Sequence, residues 1–491
     1  MRHLLLAALL AAPASAQKEP KRASDKDRAT PAPIGATASS SIAPAAKAVL
    51  ANGLGLSLIE SHRLPLVAVT LVIPAAGSDA DPKGKEGLTS FVAAMAKEGV
   101  PGLPTAADLA DAIDDIGSSL SVSAGSESTT VTIVTLKENL GRALELASKV
   151  VREPSHLTPS AESAAALERL RQRSLSGLEM EKGNPESIAS ERLSSALFGD
   201  TPRGRPATPE AINAITAEDV AARHRASMVP NGAVLSVAGD VTMDELKALA
   251  GAHFGTWSPS SVPAPAAPTP VLGPAQTVAA APTGLVIELV DLPGTQAQMM
   301  LGVLTAPRLA ADYDALSVAV NVLGGPLVGR LEQNIRERNR WAYGARAGMS
   351  AWKDGGMTEI ETKVQADKCG DAMGEILKEI ALIRSTPVPA EELAAVKVSL
   401  KGLYLQRNRT VQSLAARQAA IETMGLPAST LNDYPQRIDA LTAAQIQAAA
   451  AKWLNPSQLK VVIVGDAALL KPQLAPYGTV KVFDADGKPK A

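Results

Sequence analysis

One cysteine and five histidines are all that this chain of 491 residues holds for thiol or imidazole chemistry. A lone Cys369 excludes an internal disulfide. It lies in a segment that reads as helix, with no histidine nearby to activate it, so it is expected to be a small core or boundary residue and no nucleophile. His3 lies at the very N-terminus, and no two of His62, His156, His224 and His253 stand three to five residues apart. No helix or hairpin can therefore present a histidine pair to zinc; His62 and His224 are expected at the surface. Basic blocks are also missing. Lys and Arg number 48 against 50 Asp and Glu, a formal net charge of −2, and without clustered cations to neutralise phosphates nucleic acid is no partner. There is no Gly-x-Ser-x-Gly elbow and no Gly-x-x-x-x-Gly-Lys-Ser/Thr loop. Sequence spacing does not test for a serine triad, whose members need not be neighbours. No apolar run is long enough to span a bilayer.

What is present is ordinary in bulk and informative in order. Apolar residues make up 46% and charged residues 20%, a globular composition. At roughly 100–200 residues per domain the length predicts two to four domains. The N-terminus carries Arg2, an apolar stretch over 4–12 and the small-x-small Ala14-Ser15-Ala16. This predicts a signal peptide over 1–16, cleaved after Ala16, hence a periplasmic or secreted protein with no membrane span after cleavage. No cysteine follows the cleavage point, which argues against a lipoprotein. Residues 17–45 are rich in Lys, Pro, Ala, Ser and Thr and read as a disordered leader. Residues 258–282 carry Pro259, Pro263, Pro265, Pro268, Pro270, Pro274 and Pro282, an extended linker. The mature chain thus divides into 46–257 and 283–480, with a tail over 481–491.

The halves look like copies. Thr216, Pro230 and Asp240 have counterparts in Thr442, Pro456 and Asp466, each 226 residues on. Both triplets read as a Thr-capped helix, a turn through Pro, and a buried strand ending at Gly-Asp. Strands are expected over 54–60, 66–73, 129–136, 285–292, 296–304 and 357–364. Helices are expected over 106–116, opened by the capping box Thr105/Asp108, over 160–182 after Thr158-Pro159, and over 310–323, 327–339 and 390–407. Strands joined by short turns, with helices between, predict α+β layers and not a doubly wound parallel sheet.

Residues 49–98 resemble the opening of a pitrilysin/insulinase-type (inverzincin) metallopeptidase, whose helix carries H-x-x-E-H. Leu50-Ala51-Asn52-Gly53-Leu54, Leu64-Pro65-Leu66-Val67 and Ala76-Gly77-Ser78 lead to Glu86-Gly87-Leu88-Thr89-Ser90-Phe91-Val92-Ala93-Ala94-Met95, which is similar to the metal helix. The family's two histidines fall at Ser90 and Ala94 and its general-base glutamate at Ala93. The window for its third ligand holds Arg171, Gln172 and Arg173, flanked by Glu168 and Glu179. Ser and Ala at those places neither bind zinc nor activate water. Further on, Phe198-Gly199-Asp200-Thr201-Pro202-Arg203-Gly204-Arg205-Pro206 resembles the family's Pro/Gly-rich turn ahead of the helix start at 208–212. Leu323-Gly324-Gly325-Pro326, Gly329-Arg330-Leu331, Ile335-Arg336-Glu337 and Trp341-Ala342-Tyr343-Gly344 resemble its substrate-side motif. The family often has Gly-Leu where this chain has Arg340-Trp341. By residue type alone Arg336 suits an ion pair with Glu332 or Glu337, and Tyr343 suits a half-buried aromatic. The resemblance implies instead that an Arg and a Tyr seven residues later, about two helical turns, line the cleft.

The resemblance covers nearly all of 46–480. It implies an α+β fold of two duplicated lobes, each an antiparallel sheet covered by helices, forming a clamshell. It further implies a non-catalytic, substrate-binding partner subunit of a heterodimeric zinc endopeptidase of the cell envelope. Arg336 and Tyr343 would bind peptide, this chain would hold no cofactor, and zinc would sit in a homologous partner subunit. The alternative is a metal-free scaffold or peptide-binding protein with no role in hydrolysis.

Overall fold

The computed structural model describes residues 42–260, 284–326 and 328–490. The signal peptide, the leader up to residue 41 and linker residues 261–282 lie outside these. Twelve strands are described: β1 (Ala46–Val49), β2 (Gly55–Glu60), β3 (Leu66–Ile73), β4 (Ser119–Ala124), β5 (Thr129–Leu136), β6 (Val234–Gly239), β7 (Leu285–Asp291), β8 (Gln296–Thr305), β9 (Ala342–Ala351), β10 (Gly356–Gln365), β11 (Lys460–Gly465) and β12 (Gly478–Phe483). They form two six-stranded sheets, ordered β1-β2-β6-β3-β5-β4 and β12-β7-β11-β8-β10-β9. Five strands of one sheet match five of the other in order. The sixth differs: β1 joins β2 antiparallel, whereas β12 joins β7 parallel. Each sheet is mixed, not wholly antiparallel, since β2–β6 and β7–β11 also pair parallel.

The repeated triplets occupy equivalent places. Thr216 and Thr442 close capping boxes on the helices Ala217–Ser227 and Ala443–Trp453. Asp240 and Asp466 directly follow β6 and β11, which hold equivalent positions within their sheets.

Strands β3 and β8 are buried almost without interruption because both of their faces are covered. Val67, Val69, Leu71 and Ile73 point into the helices of the first half, while Ala68 points to the other face. That other face is covered by Val411–Met424, a helix of the second half, through Ala415 and Ile421 against Ile59, Ala68 and Ala238. The reciprocal contact is made by Pro185–Phe198, a helix of the first half. Its Ile188, Ala189, Leu193 and Leu197 cover Val290, Met300, Val462 and Val464 of the second sheet. These two exchanged helices start and end 226 residues apart, the offset of the other anchors.

Most sequence-predicted elements fall within a few residues of their observed bounds; β3, β5 and the helix Ala390–Arg407 coincide with them. The helix expected over 160–182 is Ala161–Glu181, capped by Ser160 instead of being opened by Thr158-Pro159. The helix expected over 327–339 is different in kind, a π-helix over Glu332–Arg338. Two boundaries move. Ile42, expected within the disordered leader, gives its N–H to Asn432 Oδ1 and takes the Asn432 amide on its carbonyl, both at 2.9 Å. The second half runs past 480, as β12 extends to Phe483 and Lys490 binds Asp291 at 2.6 Å.

Candidate functional site

The helix resembling a metal helix is Leu88–Met95. Gly87, at φ 99°, turns the chain into it, and the Asp81 carboxylate caps it by accepting the Thr89 N–H at 3.1 Å and the Thr89 hydroxyl at 2.5 Å. Burial pushes the Asp81 carboxyl above its usual range, with those hydrogen bonds opposing it. On the helix, Ser90 is exposed, Ala94 half-buried and Ala93 buried. Arg171, in the window of the third ligand, donates to Ile212 O at 2.6 Å and Ile215 O at 2.9 Å, and pairs with Glu168. It thus ties down the end of the short helix Pro209–Ala214. One hydroxyl, two methyl groups and a guanidinium do not fit zinc, which takes thiolate, imidazole or carboxylate. Among the described residues no group of three or more His, Cys, Asp or Glu could hold a metal ion.

Arg336 and Tyr343 lie where the backbone is least regular. The π-helix holding Arg336 ends in an i→i+5 bond from Asn339 N–H to Asn334 O at 3.0 Å. Arg340 follows at φ 58°, the only non-glycine with positive φ among the described residues. A β-bulge comes next: Ala342 pairs Val364 and Ala345 pairs Thr362, so Tyr343 and Gly344 together face Lys363 alone. The bulge breaks the alternation of the strand. Ala345 is fully buried, whereas Tyr343, two positions earlier, is 91% exposed. The half-buried aromatic that residue type suggested is thus not what the fold makes. Glu332 connects the two segments. Its buried carboxylate accepts from Arg336 Nη1 at 2.5 Å and from the Ala345 N–H at 3.0 Å, so the guanidinium is held over the start of β9. Glu337 adds a second ion pair at 3.4 Å. Both local partners weighed for Arg336 are therefore engaged. The sequence marks Glu332 only as an ion-pair candidate, an acid four positions before Arg336, and the structure makes it part of the site.

Two further clusters lie elsewhere in the fold. Arg203, in the Pro/Gly-rich turn, bonds Asp79 Oδ1 at 3.0 Å and Asp354 Oδ1 at 3.0 Å and lies 4.5 Å over the Trp352 ring. Asp354 and Trp352 stand at the β9–β10 turn, so this cluster bridges the halves. His224, expected at the surface, is 2% exposed. It meets the His156 ring edge-on at 4.9 Å, and burial pushes His156 down to about 4 and His224 to about 3. Cys369 is fully buried and its thiol is pushed up to about 12, in keeping with a core residue. Among the described residues no helix is long and apolar enough to cross a membrane.

Comparison with known proteins adds family context. A family profile described as Insulinase (Peptidase family M16) matches residues 57–209, and one described as Peptidase M16 inactive domain matches 214–400. An uncharacterized zinc protease of Mycobacterium leprae is 29% identical over 72% of this chain and 76% of its own length. The uncharacterized zinc protease YmxG of Bacillus subtilis is 21% identical over 80% of this chain and 92% of its own. A crystal structure of a peptidase M16 inactive domain from Pseudomonas fluorescens superposes with a TM-score of 0.75 at 25% identity, over 86% of this chain and 98% of that one. The periplasmic protease PqqL of Escherichia coli superposes at 0.70 and 16% identity, over 87% of this chain and 46% of its own, a likeness of fold alone.

Proposed function

Because the chain belongs to the insulinase-type (M16) peptidase family, we propose that it serves as a non-catalytic, substrate-binding partner subunit of a zinc endopeptidase in the periplasm. The observation that carries the reading is the joint state of the two motifs. The degenerate metal-motif positions hold Ser90, Ala93 and Ala94, while the Arg336–Tyr343 segment retains an exposed tyrosine on a bulge beside an anchored arginine. Strained and bulged backbone is kept where a side chain must be aimed. The Tyr343 hydroxyl can donate to the oxygen of a tetrahedral intermediate, and the free edge of the Arg336 guanidinium can hold a peptide carbonyl or carboxylate. Zinc, in a homologous partner subunit, supplies the Lewis acid and the activated water. The expected signal peptide and the periplasmic relative of this fold support the location.

The test is co-purification from the host, followed by metal analysis and a peptide-cleavage assay. The isolated chain should retain no stoichiometric zinc after soaking and desalting. In the reconstituted pair, Tyr343→Phe should lower kcat on the order of a hundredfold with little change in binding. Arg336→Ala should chiefly raise KM. Parental kcat and KM in both variants would instead support a metal-free scaffold, a reading favoured by the two ion pairs that Arg336 already makes with Glu332 and Glu337.

A further inference from the structure

Beside the half-buried Ala94 lies an open recess of about 310 Å³, lined by the end of the Leu88–Met95 helix, the helix Ala106–Asp114, β4 and the helix Ala161–Glu181. Its apolar lining comes from Ala94, Leu109, Ile113, Leu120 and Leu170. Leu109, Ile113 and Leu170 are buried there, so the floor belongs to the core and is fixed before anything binds. Two cations complete the lining: Lys97, half-exposed, and Arg173, exposed. Neither side chain forms a hydrogen bond or ion pair with any described residue. The one lining carboxylate, Glu98, is occupied by Arg169 at 3.0 Å. The recess therefore offers an apolar floor and two uncommitted positive charges.

We infer that this recess binds the C-terminal residue of a peptide, with its apolar side chain on the floor and its free carboxylate between Lys97 and Arg173. The volume is at the small end of ligand cavities, which run from about 300 to 1,000 Å³. It suits a single residue and not a long acyl chain. An apolar side chain and a carboxylate on one Cα match an apolar floor and two cations that line the same recess. A guanidinium and an ammonium both donate strongly to carboxylate oxygens. Loss of the second ligand at position 94 favours this use, because the methyl group leaves open the space that a larger side chain would take. The inference rests on the reading of this chain as a peptide-handling subunit and says which end of a peptide it grips.

Fluorescence anisotropy on the isolated mature chain tests it, with an N-terminally labelled tetrapeptide ending in Leu as free acid, as C-terminal amide, and with Gly in place of Leu. The free acid should bind at least about tenfold more tightly than the amide, the usual worth of a hydrogen bond to a charged group. Lys97→Gln and Arg173→Gln should each remove most of that preference while leaving amide binding unchanged. Both residues are solvent-accessible, so far-UV circular dichroism should match the parent. Ala94→Phe should abolish the preference for Leu over Gly by filling the floor. Equal binding of acid and amide, no binding at millimolar peptide, or a preference that survives the double Gln variant each overturns the inference. None of these bears on the partner-subunit reading, which cleavage by the reconstituted pair decides on its own.

Discussion

Single residues show both what local sequence reveals and where it stops. Ser90, Ala93 and Ala94 are legible by residue type, since no rearrangement turns a hydroxyl and two methyls into zinc ligands. The exposure of Tyr343 is not legible, because strand alternation places it on the same face as the buried Ala345. Only the bulge separates them, and its one sequence trace is Gly344. The departure at Arg340 now has a physical meaning. That position is left-handed, which glycine adopts freely and arginine adopts at a cost. The buried histidine pair gives a test at this scale. Unfolded histidines protonate near 6.5, whereas His156 and His224 stay neutral down to about 4 and about 3. Between those limits the unfolded chain binds more protons, so stability should fall as pH drops below 6.5, by about 1.4 kcal/mol per pH unit for each histidine. His156 Nδ1 faces Met95 O and His224 Nε2 faces Val151 O. Gln at both positions keeps a donor and removes the titration. Urea midpoints at pH 7 and pH 5 should differ less in the double Gln variant than in the parent; equal differences would show that the pair does not govern acid sensitivity.

At the scale of elements, the repeat was legible because capping residues and turn prolines mark it directly. The helix exchange was not. The unbroken apolar run of β3 states that both faces are buried, but no local pattern says which helix covers the second. Neither Pro185–Phe198 nor Val411–Met424 is among the helices expected from the sequence, and only the structure shows that each lies on the sheet of the other half. Close approach makes the contact tight: a Cβ on Gly302 of β8 would lie 2.9 Å from Leu197 and 3.0 Å from Leu193. Leu193→Ala should therefore cost about 2–5 kcal/mol, the range for a buried leucine. Because the helix belongs to one half and its sheet to the other, both halves should weaken together. A single urea transition shifted as a whole is the expected result. Two separated transitions, with the first half unmoved, would mean that the halves fold independently.

Over the whole molecule, Arg203 joins the halves by charge where the exchanged helices join them by apolar packing. Asp79 belongs to the first half and Asp354 to the second, and all three side chains are only 11–12% exposed. Glu127 lies 3.8 Å from Arg203 and accepts the Lys353 N–H at 3.1 Å, adding a second link across the same seam. A buried network of this kind gains little over apolar residues of equal volume, but removing one partner leaves the others as uncompensated charges. Arg203→Met should thus destabilise the protein by roughly 3–5 kcal/mol, even though the methionine can still lie on the Trp352 ring. Adding Asp79→Asn and Asp354→Asn to Arg203→Met should recover most of that loss, because the stranded carboxylates are then gone. Salt separates this account from a surface ion pair. Screening acts weakly on buried charges, so the parental stability should change little between low and high ionic strength. Urea denaturation of the parent, single and triple variants at two salt concentrations measures all three outcomes. A harmless Arg203→Met, or a triple variant no better than the single, would mean that the halves are held by their exchanged helices alone.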